Sequence, residues 1–273
     1  MKAPTQLLKM LKLHRTPFEI LLRNIFDVLE PLDASFAFPT VAAVAQMRPS
    51  LVKKIVQEGH EVASHGYNHV RYPHLSLEER ECDLARSLEI FHKIGIDIRG
   101  FRAPYDNYTD DMPQLLEKYN IVWDGGFGYR PEHREKNRFF RVALNERDSN
   151  VTYIPLSIWS DDRMIDTLGM QPTQVTEQLK REVQEVEKTG GVLMFDLHPI
   201  RIGQPEYVQC LRETAEFARG RGAWIPTPYE AVTYWNKHKK WKGDAKFCLL
   251  LTGDIDNWVF SDYLRRQIWR WIG

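Results

Sequence analysis

Apolar residues along the chain alternate between helical stripes and short unbroken runs. Residues 18–30 (FEILLRNIFDVLE) are apolar at helical spacing and stop before Pro31, the pattern of an amphipathic helix. The run 34–38 (ASFAF) reads as a buried strand. Helix 49–58, with Pro49 in its first turn, then precedes strand 61–64. Ser76 opens a helix with a capping box, because Glu79 lies three residues on, and that helix closes near Gly95. Strand 100–103, helix 109–119 and strand 121–123 follow, and residues 125–148, rich in Gly, Arg and Glu, read as a long loop. Strand 151–159, helix 173–189 stopped by Gly190-Gly191, and strand 192–197 come next. Helix 206–219, strand 224–226, helix 229–238, strand 247–252 and helix 261–271 complete the pattern.

Buried strands separated by helices predict parallel βα units. No linker, tandem repeat or low-complexity tract divides residues 1–273, so the expectation is one α/β domain built as a distorted (β/α) barrel. In such a barrel the chemistry sits on the loops after the strand C-termini.

Composition narrows the function. Lys plus Arg total 37 and Asp plus Glu total 37, and this balance argues against a nucleic-acid partner. Residues are 43% hydrophobic and 27% charged, which is globular rather than disordered. No apolar run is long enough to span a membrane. The aromatic content of 12% suits a roomy core or a stacking site. Cys82, Cys210 and Cys248 form no CxxC, which argues against a disulfide framework or a thiolate zinc site. Residues 1–17 carry no signal-peptide pattern, so the expected location is the cytoplasm.

The polar residues at the strand ends stand out. Strand 61–64 runs into Ser64-His65-Gly66-Tyr67-Asn68-His69, and two histidines four apart can share a metal if they lie on a helical turn. Strand 100–103 delivers Arg102 and Tyr105, strand 192–197 delivers Asp196, Leu197 and His198, and strand 247–252 delivers Asp254 and Asp256. Taken singly, each has an ordinary reading: a cap, a structural ion pair, a core histidine, a turn. Their joint placement at strand ends points to one barrel mouth.

These residues carry a resemblance. GHEVASHGYNH (59–69) resembles the histidine motif of the polysaccharide deacetylases, the NodB-homology domain of carbohydrate esterase family 4. ASFAF (34–38) resembles the strand before it, RAPY (102–105) the Arg-x-Pro-Tyr motif, and LHP (197–199) the late Leu-His motif. Residues 154–162 resemble the segment between those two motifs, and AWIPTPYEAVTYW (223–235) the closing strand and helix. The likeness covers residues 18–238 in the usual order and implies a (β/α)7-type barrel. One motif is displaced. The family opens with a strand ending in paired aspartates, and nothing of that form precedes Arg15. FCLLLTGDIDN (247–257) has that form at the other end of the chain. The resemblance therefore implies a circular permutation in which residues 245–273 supply the first strand and helix. Two alternatives stand beside it: the tail completes a neighbouring subunit in a homo-oligomer, or its likeness is coincidental.

The resemblance implies a metal-dependent hydrolase that removes an N-acyl group, acetyl, from a carbohydrate. Asp256, His65 and His69 would hold a divalent metal, Zn²⁺ first, with Co²⁺, Ni²⁺ or Fe²⁺ as alternatives. Asp254 would be the general base, kept ionised by Arg102, and the Tyr105 N–H would stabilise the oxyanion. His198 would be the general acid, its pKa raised by Asp161 or Asp162. Leu197 would line a pocket for the acetyl methyl, and Trp159, Trp258 or Tyr67 could stack on a sugar. Ala103, Asp106 and the Asp254-Ile255-Asp256 spacing depart from the commonest pattern and resemble a branch acting on small or unusual amides. An allantoinase-like hydrolase of another non-peptide C–N bond is thus an alternative. A carbohydrate-binding relative without catalysis is another.

Overall fold

The computed structural model describes residues 16–126, 137–144 and 146–257, together with Leu264 and Ile268. The strands are β1 (Phe36–Thr40), β2 (Glu61–Ser64), β3 (Gly100–Phe101), β4 (Trp123–Asp124), β5 (Ala143–Leu144), β6 (Arg147–Asp148), β7 (Thr152–Tyr153), β8 (Val192–Asp196), β9 (Ala223–Trp224) and β10 (Phe247–Thr252). The main sheet is parallel and runs β7-β4-β3-β2-β1-β10-β8, with β9 paired to β10. Helices, the longest being Leu77–Lys93 and Pro172–Thr189, supply the crossovers that parallel strands require.

The chain beyond β7 turns back towards β8. Leu156 forms a parallel bridge with Met194, fixed by Ser157 N–H to Met194 O at 2.8 Å and Met194 N–H to Pro155 O at 3.2 Å. This contact bends the curled sheet into the expected distorted barrel. It also explains why the run 151–159 is not one strand. Pro155 has no N–H to give a ladder, so pairing breaks after Tyr153 and resumes on the opposite neighbour.

β10 is an inner strand of the sheet. It pairs with β1 on one side (Phe36 opposite Leu251) and β8 on the other (Cys248 opposite Val192). All six of its residues are buried, as they must be in a parallel sheet covered on both faces. Phe247, Leu249 and Leu251 join one hydrophobic cluster, whereas Cys248 and Leu250 join the other. The ladder continues past its end: Ile255 N–H donates to Pro39 O at 2.8 Å, and Leu197 N–H donates to Thr252 O at 2.6 Å. The backbone between is equally fixed. Gly253 leaves no room for a side chain, since a Cβ there would lie 2.0 Å from Leu197 O. Gly253→Ala is expected to cost about 3 kcal/mol, as overpacking against backbone does at its upper range. Chemical denaturation would show this as a lower midpoint with an unchanged slope.

Most helices match the expected ranges. The capping box at Ser76 is present, with Glu79 N–H donating to Ser76 Oγ at 3.2 Å and Ser76 N–H to Glu79 Oε2 at 2.7 Å. Gly190, at φ 64°, stops the helix before β8. The short helix Ala42–Met47 was not expected, because six mostly small apolar residues show no helical stripe. Strand β1 begins two residues later than ASFAF implies. The expected loop 125–148 contains the antiparallel pair β5–β6, while residues 127–136 and 145 lie outside the described residues. Of the expected helix 261–271, Leu264 and Ile268 are helical and the rest lies outside the described residues, as does Trp258.

Candidate active site

Each strand on the rim contributes one element. β2 leads into the loop 65–69. This loop is not a helical turn, contrary to the expectation for His65 and His69: Gly66 has φ 70° and His69 φ 54°. The imidazoles converge because the loop folds back, with ring centroids 5.0 Å apart. Asp83, from helix Leu77–Lys93, holds the fold by accepting from Tyr67 N–H at 2.8 Å and from the Tyr72 hydroxyl at 2.9 Å.

Asp256 meets the histidines. Its Oδ1 lies 3.5 Å from His65 Nε2 and 3.2 Å from His69 Nε2. Across the described residues, this trio is one of three groups of His and acidic side chains compact enough to hold a cation. His65 is buried, and burial lowers its pKa, favouring the neutral ring. Its Nδ1 lies 2.8 Å from Arg102 O. The carbonyl can only accept, so Nδ1 carries the proton and Nε2 presents a lone pair to the group.

Arg102, at the end of β3, is wholly buried and bridges two strand ends. Its Nη1 donates to Asp254 Oδ1 and Asp196 Oδ1, each at 2.9 Å. Its Nη2 donates to Thr252 Oγ1 at 2.6 Å and contacts Met194 Sδ at 3.1 Å. The other oxygen of Asp254, Oδ2, lies 3.4 Å from His65 Nε2. Asp254 therefore sits between Arg102 and the His-His-Asp group. Burial pushes its carboxyl up to about 8 even against Arg102, with Asp196 and Asp256 adding to the rise. The expected pair is present, and it lowers the carboxyl while burial raises it.

β8 presents His198. Its Nδ1 lies 2.8 Å from Oδ1 of the buried Asp161. Asp161, rather than Asp162, is thus the hydrogen-bond partner that fixes the ring, while Asp162 remains near enough to join the same group. His198 Nε2 faces Asp196 Oδ2 at 3.9 Å. Burial disfavours the imidazolium, yet Asp196 and Asp161 together raise the His198 pKa well above its ordinary value.

Tyr105 and Asp106 both have left-handed backbone, φ 63° and 51°. Asp tolerates that region better than most residues with a side chain, which suits Asp106 to its position. The Tyr105 ring is exposed, stacked under Arg71 at 3.8 Å and beside His69. Asp106 Oδ1 is buried without a hydrogen-bond partner, and burial pushes that carboxyl up to about 7.

The expected substrate-contacting residues are less uniform. Leu197 is fully buried in the core. Trp159 is partly buried, with Arg163 4.8 Å from its ring. Tyr67 is 7% exposed and covered by Arg86, so its ring is taken up by packing. Four residues received no role from the sequence: Asp196, Thr252, Asp83 and Asp106. Asp196 had a visible signal, two residues before His198 at a strand end, but a lone aspartate there reads equally well as a turn.

Parts of this chain are similar to known proteins. The family model of the polysaccharide deacetylases matches residues 17–122, a span holding His65, His69, Arg102 and Tyr105 but not His198 or the 254–256 aspartates. A chitooligosaccharide deacetylase from Sinorhizobium fredii is 32% identical over 101 residues, covering 35% of this chain and 46% of that protein. The match thus spans under half of that relative's length. Among solved structures, a Mycobacterium smegmatis protein named for polysaccharide deacetylases superposes with TM-score 0.69 at 20% identity, covering 81% of this chain and 79% of that one. The Puue allantoinase superposes with TM-score 0.68 at 18% identity, covering 81% and 74%. At these identities the structural likeness establishes the fold.

Proposed function

We propose that this chain, whose motifs and fold are those of the polysaccharide deacetylases, removes an N-acyl group, acetyl, from a carbohydrate by divalent-metal-dependent hydrolysis. The observation that carries the reading is the meeting of three units on one rim: His65, His69 and Asp256; Arg102 with Asp254; and His198 with Asp161. Two imidazole nitrogens and a carboxylate oxygen, with His65 neutral and its tautomer fixed, fit Zn²⁺ first and Co²⁺, Ni²⁺ or Fe²⁺ next. A cation so held would polarise the acyl carbonyl and make water more acidic.

The chain's own groups do the rest. Asp254 takes the proton of the attacking water, and Arg102 aims the carboxylate. The Tyr105 N–H, turned by its left-handed backbone, is assigned to the developing oxyanion. His198, locked by Asp161, protonates the leaving nitrogen from Nε2. The domain reading is one unit across 1–273, with Phe247–Thr252 as a permuted first strand acting within the same chain. No helix among the described residues is long and apolar enough to cross a membrane. Cys82, Cys210 and Cys248 are free thiols, which supports a reducing compartment.

The test is acetate release from N-acetylglucosamine oligomers by the Zn²⁺-loaded protein, abolished by chelation and restored by metal. Allantoin is assayed in parallel, because the Asp254-Ile255-Asp256 spacing and Asp106 favour a cyclic-amide hydrolase as the second reading. Turnover of allantoin alone would select it, and turnover of neither would favour the non-catalytic binder.

The pH profile checks His198. Its folded pKa is raised, so the proton is held below that value and lost as pH rises through it. The alkaline limb of kcat/KM should therefore report His198. Asp161→Asn is expected to move that limb down by about one pH unit or more. An unmoved limb would remove His198 from the acid role.

A further inference from the structure

Two compact groups share the rim. His65, His69 and Asp256 form the first, and Asp196, His198 and Asp254 the second. Asp254 joins them, since its Oδ2 reaches within 3.4 Å of His65 Nε2. In the second group, one atom from each residue lies within 4.8 Å of the others, so a single small atom can be at hydrogen-bond distance from all three. Asp196 uses Oδ1 for Arg102, at 2.9 Å. It turns Oδ2 towards His198 Nε2 at 3.9 Å, too far for a hydrogen bond but a fit for an atom held between them.

We propose that Asp196, with His198 and Asp254, forms a cradle for the leaving nitrogen, and that Asp196 is a catalytic residue which binds the amine as it departs. The proposal rests on the hydrolytic reading above. Asp254 gains one proton from the attacking water. The C–N bond breaks as His198 gives its Nε2 proton to nitrogen, and the electron pair stays on nitrogen. The neutral amine then takes the Asp254 proton to become an ammonium, and the carboxylic acid product releases its proton to re-protonate His198. Asp196 takes up no proton in this sequence and accepts from the amine N–H, most strongly once the amine is cationic. The other charged groups around His198 fit this division. Asp161 is engaged by Nδ1, Asp162 lies beside it, and Arg201 is paired with Asp166 at 2.8 Å. Among the charged side chains facing His198, Asp196 and Asp254 complete the cradle with it. A second divalent ion is the competing occupant. It would sit against Arg102, which already bonds both carboxylates.

The experiment uses the full-length Zn²⁺-loaded protein and Asp196→Asn, which keeps an oxygen for Arg102 and removes the charge. Glucosamine and acetate are tested as product inhibitors. The expected result is at least tenfold weaker inhibition by glucosamine in the variant, the scale of one charge-assisted hydrogen bond, with acetate inhibition changed less than about twofold. Equal change in both, or in neither, overturns the proposal. The wild type gives a second measurement should the variant not fold: glucosamine should bind at least tenfold more tightly than glucose, and equal binding overturns it. Metal analysis showing two ions in the wild type and one in Asp196→Asn would also overturn it. Lack of any hexosamine turnover in the wild type would count against the carbohydrate reading alone. Ethylammonium titrated against the labelled His198 ring then carries the test. A saturable ring shift in the wild type, lost in Asp196→Asn, supports the cradle, and no shift at about 100 mM overturns it.

Discussion

Asp254→Asn should lower kcat/KM by on the order of a thousandfold while leaving bound metal unchanged. The effect is large because the carboxylate lies beside the His-His-Asp set, with Oδ2 3.4 Å from His65 Nε2, where it can take a proton from water. General-base loss of this kind costs about 10²- to 10⁴-fold. Asparagine keeps the shape and can still accept from Arg102, so the pocket should persist. The ligands assigned to metal, His65, His69 and Asp256, are untouched. A stability measurement separates this from a folding defect. The folded carboxyl titrates near 8 and an unfolded one near 4, so the metal-free folded protein binds more protons through this group between those values. Its contribution to stability therefore falls as pH rises from about 4 to 8. The neutral amide escapes that penalty, and the metal-free variant should melt no lower than wild type at neutral pH. Unchanged turnover, with metal still bound, would remove Asp254 from the base role.

The residues of this rim are unequally visible in the sequence. His65, His69, Arg102, His198, Asp254 and Asp256 all follow short apolar runs, and a parallel sheet places such positions at one edge. Their convergence is legible in the strand pattern alone. Which side chain touches which is not. Asp161 and Asp162 are adjacent, and only the path of the backbone after Ser160 decides that Asp161 meets His198 Nδ1. Asp196 escapes a sequence reading for a related reason. Its partner Arg102 lies 94 residues away, and no local pattern records a contact of that range. The helical turn expected for His65 and His69 is absent because i, i+4 spacing fits a helix or a folded-back loop equally well. Gly66, with positive φ, is the residue that favours the loop. Element limits shift where proline intervenes, as at Pro155, or where strands are only two residues long, as β3, β4 and β7 are.

Removal of residues 245–273 should abolish cooperative folding rather than merely activity. A tail added to a finished domain could be trimmed at little cost. Here the segment includes β10, which lies between β1 and β8 and supplies both of their inner ladders. Its loss would strand the backbone groups of β1 and β8 and open both hydrophobic clusters, to which β10 contributes from alternate faces. Each fully buried Leu or Phe side chain is worth about 1.5–3 kcal/mol against exposure, and β10 carries Phe247, Leu249, Leu250 and Leu251 at 0% exposure. Their sum is comparable with the whole stability of a typical domain, about 5–15 kcal/mol. A point variant makes the same argument without shortening the chain. Leu250→Asp places a charge in a dry sheet face and should cost more than about 4 kcal/mol. Near-UV circular dichroism and a thermal melt would follow both proteins. The truncated chain should show no tertiary signal and no cooperative transition, and Leu250→Asp a melt lowered by about ten degrees or more. Asp256→Ala is the matched control, because it removes a proposed ligand from the same segment while keeping β10 intact, and should lose metal yet melt as a folded protein. A truncated chain that melts within a few degrees of wild type would mean that the fold does not depend on β10 between β1 and β8.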